Sequence, residues 1–267
     1  MAQWSGLAFL RRWWPPLVLA LLFVLSVSRF DLLETALGPL LRRKTVFAAR
    51  ERLGVLALQH LGLVAATGAA SFLAAFPLAV AAARREAGAL RDLLLGAASF
   101  AETFPTVALM ALLVPAVGYG FLPVGIALFL YGLLPVFRNT LVGLESTPPE
   151  LVEAALGCGM NEGELLRLVR LPVAAPLVLE GLRVSLVVNI AAGAVGAAVG
   201  AGGLGVPIVS GLRAFDPVLI LEGALPLALL ALAADSFLRA LEAGLAGRGS
   251  GRAGRQTRDS RKGAKHP

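Results

Sequence analysis

At 267 residues the chain has room for one large domain or two small ones, and its 57% hydrophobic content and mean hydropathy of +0.79 exceed the usual globular range. Charged residues make up only 15% and are clustered, which excludes a soluble enzyme with a polar surface and leaves an all-α, polytopic integral membrane protein. The formal net charge of +7 is concentrated at the C-terminal end, where Arg248, Arg252, Arg255, Arg258, Arg261, Lys262 and Lys265 face the single acid Asp259.

A spanning helix needs about 20 mostly apolar residues, and the chain offers about six such stretches. The first is Pro15 to Phe30, short but preceded by Arg11, Arg12 and the interfacial anchors Trp13 and Trp14. A signal peptide with Ser26-Val27-Ser28 at the cleavage site is the alternative to an uncleaved helix. A charged connector follows, from Asp31 to Leu53. The second span runs from Val55 to Ala83 and ends at Arg84-Arg85, with Gln59 and His60 near one end and Pro77 near the other. The third is Leu93 to Val117, turned sharply by Gly118-Tyr119-Gly120. The fourth is Leu122 to Val142, interrupted by Pro135. The fifth is Ala175 to Val199, and a glycine run, Gly200 to Gly205, follows it. Val206 to Phe215 reads as a short outer helix. The sixth span is Val218 to Leu238.

Lys and Arg in short loops set orientation. Arg11, Arg12, Arg84, Arg85, Arg91, Arg138, Arg167, Arg170 and the tail fall on one side, which is then the cytoplasm. Arg42, Arg43, Lys44, Arg50 and Arg52 dissent, as an exception or a surface-lying helix. Three regions result: 1–54, a helix and connector; 55–240, the membrane core; and 241–267, a basic tail whose composition cannot bury enough apolar surface to fold. Anionic lipid headgroups rather than nucleic acid lie within the tail's reach, and a simple solubilising end is the alternative reading.

The segment 143–172, between the fourth and fifth spans, is a structured loop. Thr147-Pro148-Pro149-Glu150 predicts a helix start, with Thr147 as cap and Pro148 at the first position. Gly157-Cys158-Gly159 interrupts this helix. Asn161 to Glu164 repeats a capping pattern, Leu165, Leu166, Leu168 and Val169 form a second apolar stripe, and Pro172 stops it. The expectation is two short helices around a glycine elbow. Cys158, the single cysteine, cannot form an intrachain disulfide and reads as a small residue in that elbow.

Glu153-Ala154-Ala155, three residues, Gly159, nine residues, Val169, one residue, Leu171-Pro172 resembles the cytoplasmic loop of ABC-importer permeases. Three further runs extend the likeness toward the osmoprotectant subgroup, which carries glycine betaine, choline, carnitine or proline. They are Phe104 to Leu109 ahead of Val114-Pro115, Tyr131 to Thr140, and Gly200 to Gly205. Glu102 departs from that subgroup, where an uncharged polar residue is usual. The resemblance implies a translocation subunit and not an enzyme. It implies two ATPase subunits gripping Glu153, Ala154, Ala155 and Gly159, with Val169, Leu171 and Pro172 completing the loop. It also implies a second permease copy or paralogue, and a separate extracytoplasmic binding protein that holds substrate affinity. The expected location is the inner membrane, with the C-terminus cytoplasmic. A permease for another small solute, such as an amino acid or a methionine-like molecule, or an ATP-independent channel or scaffold, is the alternative.

No cofactor is expected. Gly200 to Gly205 fits a dinucleotide pattern but follows a membrane span rather than a strand, and no P-loop occurs. His60 and His266 are far apart, and no Cys, His and carboxylate cluster has metal-ligand spacing. Gly193, Gly196 and Gly200 predict a small-residue packing face. Ser185 and Asn189, four apart on one helical face, and Glu102, an ionisable group within a span, are the candidates for the translocation path. A structural hydrogen bond is the other reading of Glu102.

Overall fold

A computed structural model describes residues 3–30, 35, 50–83 and 88–263, and for residues 3–10, 50–52, 90, 98, 101–102 and 245–263 the backbone alone. The connector cations Arg42, Arg43 and Lys44, the Arg84-Arg85 pair and the side chain of Glu102 lie outside the described set. Every regular element among the described residues is helical. The helices are α1 (Gln3–Ser28), α2 (Arg50–Ala82), α3 (Gly88–Thr103), α4 (Thr106–Val117), α5 (Phe121–Glu145), α6 (Pro149–Gly157), α7 (Leu171–Val195), α8 (Gly205–Ala214) and α9 (Pro217–Gly263).

Among the described residues four helices are long and apolar enough to cross a membrane: Leu53–Ala82, Phe121–Glu145, Glu162–Val199 and Pro217–Gly244. They match the second, fourth, fifth and sixth predicted spans. The predicted third span is two helices, α3 and α4, separated at Phe104-Pro105. Pro105 has no N–H to return to the carbonyl of Ala101, and its ring disfavours helical backbone in the residue before it. Pro77, Pro135, Pro176 and Pro226, by contrast, lie inside unbroken helices. In α9 the helical backbone runs on to Gly263, through the basic stretch whose composition suggests disorder.

Three helices, α2, α5 and α7, form the centre. Small residues let α5 and α7 approach closely along their whole length. A Cβ on Gly181 would lie 2.7 Å from the Pro135 carbonyl, and one on Gly196 2.6 Å from Val124 Cγ1. Near the loop, Gly143 meets Ala174 at 3.1 Å on the same test. The expected small-residue face of α7 thus serves packing: Gly193 abuts His60 of α2 and Gly196 abuts α5. Helix α1 lies against α9, with Trp13 edge-on to Phe237 at 5.7 Å and the Arg12 guanidinium donating to the Ala240 carbonyl.

Candidate functional site: a bracket between two core helices

The loop between α5 and α7 is built by local rules. Helix α6 starts on two prolines; Pro148 is the N-cap and makes no side-chain cap. Thr147 does not cap it, contrary to expectation. Its hydroxyl donates back to the Leu144 carbonyl at 3.1 Å, closing the end of α5. Helix α6 ends in a Schellman turn. The Met160 amide donates to Ala155 O at 3.2 Å and the Gly159 amide to Leu156 O at 2.9 Å. Gly159 takes φ +83°, a left-handed conformation that glycine adopts without penalty.

The second capping pattern forms as expected. Asn161 Oδ1 accepts from the Glu164 amide at 3.0 Å, and Glu164 Oε2 accepts from the Asn161 amide at 2.9 Å. The apolar stripe after this cap is not a separate short helix. Leu165–Arg170 is a π-helix that passes directly into α7, with the Leu171 amide donating to Leu166 O. Pro172 does not stop a helix; it occupies the first turn of α7. Its ring excludes a normal α turn against the carbonyl four residues earlier, which accounts for the wider π turn there.

The predicted loop residues divide into two sets. Glu153, Ala154, Gly159 and Pro172 are exposed, while Ala155 is buried and Val169 and Leu171 are half-buried. Leu166 and Leu171 pack on a core cluster of Leu144, Ala174 and Val178, together with Phe72, Phe76, Val80 and Ala83 of the α2 end. The loop is therefore a bracket: one side faces out and the other is rooted in α2, α5 and α7 together. A displacement of α6 would be felt by all three.

The other end of the bundle is closed by the glycine run. Gly202 and Gly203 take positive φ, and the Gly203 amide donates to Gln59 Oε1 at 3.2 Å. His60, fully buried, places Nε2 3.1 Å from the Ile190 carbonyl, so that nitrogen carries the proton. Gln59 and His60 thus tie α2 to the glycine run and to α7. The sequence locates both residues near a span end but does not reveal this partnership.

Ser185 and Asn189 are completely buried where α2, α5 and α7 cross. Gly132 makes room for them: a Cβ there would lie 2.6 Å from Ser185 Oγ and 3.0 Å from Asn189 Nδ2. Asn189 Nδ2 makes a long 3.5 Å contact to Thr67 Oγ1. The Ser71 hydroxyl shares its proton between Thr67 O at 2.9 Å and Phe129 O at 2.8 Å. This is an interhelical polar knot inside one subunit. Glu102 is not brought to it; its backbone lies in the last turn of α3, beside the Phe104-Pro105 break.

A charge cluster joins α7 to α9. Arg183 bonds Glu180 and pairs with Asp235 at 3.1 Å and Glu242 at 3.9 Å, and Asp235 also holds Arg239 at 2.8 Å. Glu180 lies three residues before Arg183 on the same helix, whereas Asp235 and Glu242 come from α9. No cluster of three or more His, Cys, Asp or Glu placed to hold a metal occurs among the described residues.

The described residues thus form a multi-helix bundle of membrane-spanning length with a solvent-exposed bracket rooted in its core. Residues 75–247 match the profile of the binding-protein-dependent transport system inner membrane component family. The chain is 39% identical over 202 residues to the osmoprotectant import permease protein OsmW of Salmonella typhimurium, covering 74% of this chain and 93% of that one. It is 34% identical over 184 residues to the glycine betaine/carnitine/choline transport system permease protein OpuCB of Bacillus subtilis, covering 69% and 84%. Among solved structures, an inward-facing form of the MetNI methionine ABC transporter superposes with a TM-score of 0.64 at 20% identity, over 70% of this chain and 93% of that one. The chain belongs to the binding-protein-dependent transport family and is the transmembrane permease subunit of an ABC importer.

Proposed function

We propose that this permease imports an osmoprotectant such as glycine betaine, choline, carnitine or proline by alternating access. The substrate class rests on relatives such as OsmW and OpuCB, whose names state their cargo. The observation that carries the mechanism is the bracket: exposed Glu153 and Ala154 on a loop whose Leu166 and Leu171 are seated in the core. ATPase subunits docked on Glu153, Ala154 and Gly159, over the buried Ala155, would move α2, α5 and α7 as a unit when ATP draws them together. Val169, Leu171 and Pro172 hold the loop to α7. Each ligand must favour one conformation for such coupling to work.

The working unit in this reading is two permeases, two ATPases and a separate extracytoplasmic binding protein. Each permease has six spans: α1, α2, the α3–α4 pair, α5, α7 and α9. The bracket and the basic C-terminal tail face the cytoplasm, in the inner membrane, where the tail meets anionic lipid. Residues 1–54 form the N-terminal helix and connector, 55–240 the core and 241–267 the tail. Glu102 belongs to the path; Ser185 and Asn189 would join it only if α5 moves away from them during the cycle. Uptake by proteoliposomes holding the complete importer, compared across betaine, choline, carnitine and proline, tests the proposal. ATP-dependent uptake of at least one supports it; uptake of none, with a functional ATPase, overturns it.

A further inference from the structure

Each of the three central helices carries a proline between the bracket and the polar knot. Pro77 of α2 lies between Ser71 and the bracket end of its helix, Pro135 of α5 between Gly132 and Glu145, and Pro176 of α7 between Leu171 and Ser185. Each proline deprives the carbonyl four residues earlier of its helical donor, so the helix bends more easily there.

The contacts differ on the two sides of these prolines. Toward the bracket the helices meet through apolar side chains: Ala79 and Ala82 of α2 with Val136 and Phe137 of α5, and Leu144 of α5 with Ala174 of α7. Apolar contact has no preferred direction, and helices packed this way slide over one another by small steps. Toward the glycine run the same helices are bonded in fixed directions. His60 Nε2 donates to the Ile190 carbonyl at 3.1 Å, and Gln59 Oε1 accepts from the Gly203 amide at 3.2 Å. The Ser71 hydroxyl reaches the Phe129 carbonyl at 2.8 Å, and Asn189 Nδ2 reaches Thr67 Oγ1 at 3.5 Å. Such bonds fix register and rotation together.

Gly132 is the socket of this assembly. A Cβ there would stand 2.6 Å from Ser185 Oγ, 2.7 Å from Ser71 Oγ and 3.0 Å from Asn189 Nδ2, so side chains of α2 and α7 close on α5 at one place. Ser71, Ser185 and Asn189 are all completely buried within the one subunit. Opening the knot would leave their polar atoms against lipid or empty space, a cost that an apolar slide does not carry.

We infer that the knot at Gly132 is a permanent bolt. It makes the glycine-run halves of α2, α5 and α7 one body, which the bracket turns by flexing the helices at Pro77, Pro135 and Pro176. This rests on the bracket as the part the ATPases grip, and adds what carries its motion onward. Ser71, Gly132 and Asn189 are then positioning residues for transport, and Ser185 and Asn189 stay out of the path.

The test uses the complete importer in proteoliposomes, with Cys158→Ser so that the permease carries only the cysteines introduced. Ser71→Cys with Gly132→Cys sets two thiols where a Cβ at position 132 would stand 2.7 Å from the side-chain tip of Ser71, within reach of a disulfide. Reduced, the pair lacks the Ser71 bond and raises ATP hydrolysed per substrate moved roughly threefold to tenfold; oxidised, it restores the wild-type ratio in the same preparation. Ser71→Ala with Asn189→Leu removes both polar bonds at little change of volume and shows the same rise without added thiols. This ratio does not depend on how much complex assembles. Uptake that stops on oxidation and returns with reductant overturns the inference, because the knot must then open in every cycle. So does a wild-type ratio in the Ala and Leu variant, or a cysteine pair that oxidant does not close. Gly159→Leu in the bracket separates this inference from the reading beneath it. Normal coupling in that variant sinks the bracket, whereas poor coupling there beside an indifferent knot sinks only the bolt.

Discussion

Gly159 shows how much one residue can carry without making a contact. A Cβ there would meet nothing within 4 Å, so its side chain is unconstrained by space, but its φ of +83° is one that other residues adopt at a cost of about 1–2 kcal/mol. Gly159→Leu is therefore expected to leave the bundle folded, with a melting temperature within a few degrees of wild type, while displacing α6 from its docked direction. The ratio of ATP hydrolysed to substrate moved should rise severalfold; an unchanged ratio would show that the elbow does not transmit force. Glu102 poses the complementary question. It is legible in the sequence because an ionisable group inside a span is costly. Glu102→Gln should reach the membrane at normal levels and change uptake, most for cationic cargo. Wild-type uptake across the substrate panel would assign Glu102 a structural hydrogen bond instead.

At the scale of elements, proline is the residue type whose meaning the sequence leaves ambiguous. Pro105 divides a predicted span, whereas Pro77, Pro135, Pro176 and Pro226 interrupt nothing. Pro172 reads as a stop because prolines commonly follow helix ends, yet they also favour the first turn of the next helix. The Leu171 amide bonded to Leu166 O decides for continuity, through a π turn. Pro172→Ala would restore the missing N–H and remove the ring clash, allowing that turn to revert to α geometry. One residue fewer per turn would rotate the bracket relative to α7. The expected outcome is a folded permease with poorly coupled ATP hydrolysis, read by the ratio of ATP hydrolysed to substrate moved. Normal coupling would mean that the π turn is incidental.

Across the whole molecule, the outer helices are fastened by charge as well as by apolar packing. Arg183 is 14% exposed and serves three carboxylates on α7 and α9, while Arg12 binds α9 carbonyls from α1. Arg183→Ala would leave Glu180, Asp235 and Glu242 crowded without their shared cation. A loss of about 2–3 kcal/mol is expected for this partly buried cluster, below the cost of breaking a fully buried pair. Thermal unfolding in detergent should show it as a fall in melting temperature, larger than that of Arg239→Ala, whose side chain is 64% exposed. Equal shifts for the two variants would remove Arg183 from its place as the hub.

Hydrophobic runs, caps and glycine signals act along the chain over a few residues. That is why the sequence alone determined where α2, α5, α7 and the apolar part of α9 lie, the Asn161–Glu164 capping box and the Gly159 elbow. It also located the segment 143–172, because several positions at fixed spacing are a one-dimensional pattern, but it made the second half a separate helix ending at Pro172, where the structure runs on through a π turn into α7. Partnerships between distant residues are not. The Gly203 amide on Gln59, the Ser71 hydroxyl on Phe129, Arg183 on Asp235 and Arg138 on Ser99 each join separate helices. Polar and small residues mark such contacts as needed, since neither can be left against lipid, but many pairings would satisfy the same need. Only the tertiary structure chose among them, because the choice depends on how far two helices rotate and slide before their side chains interlock.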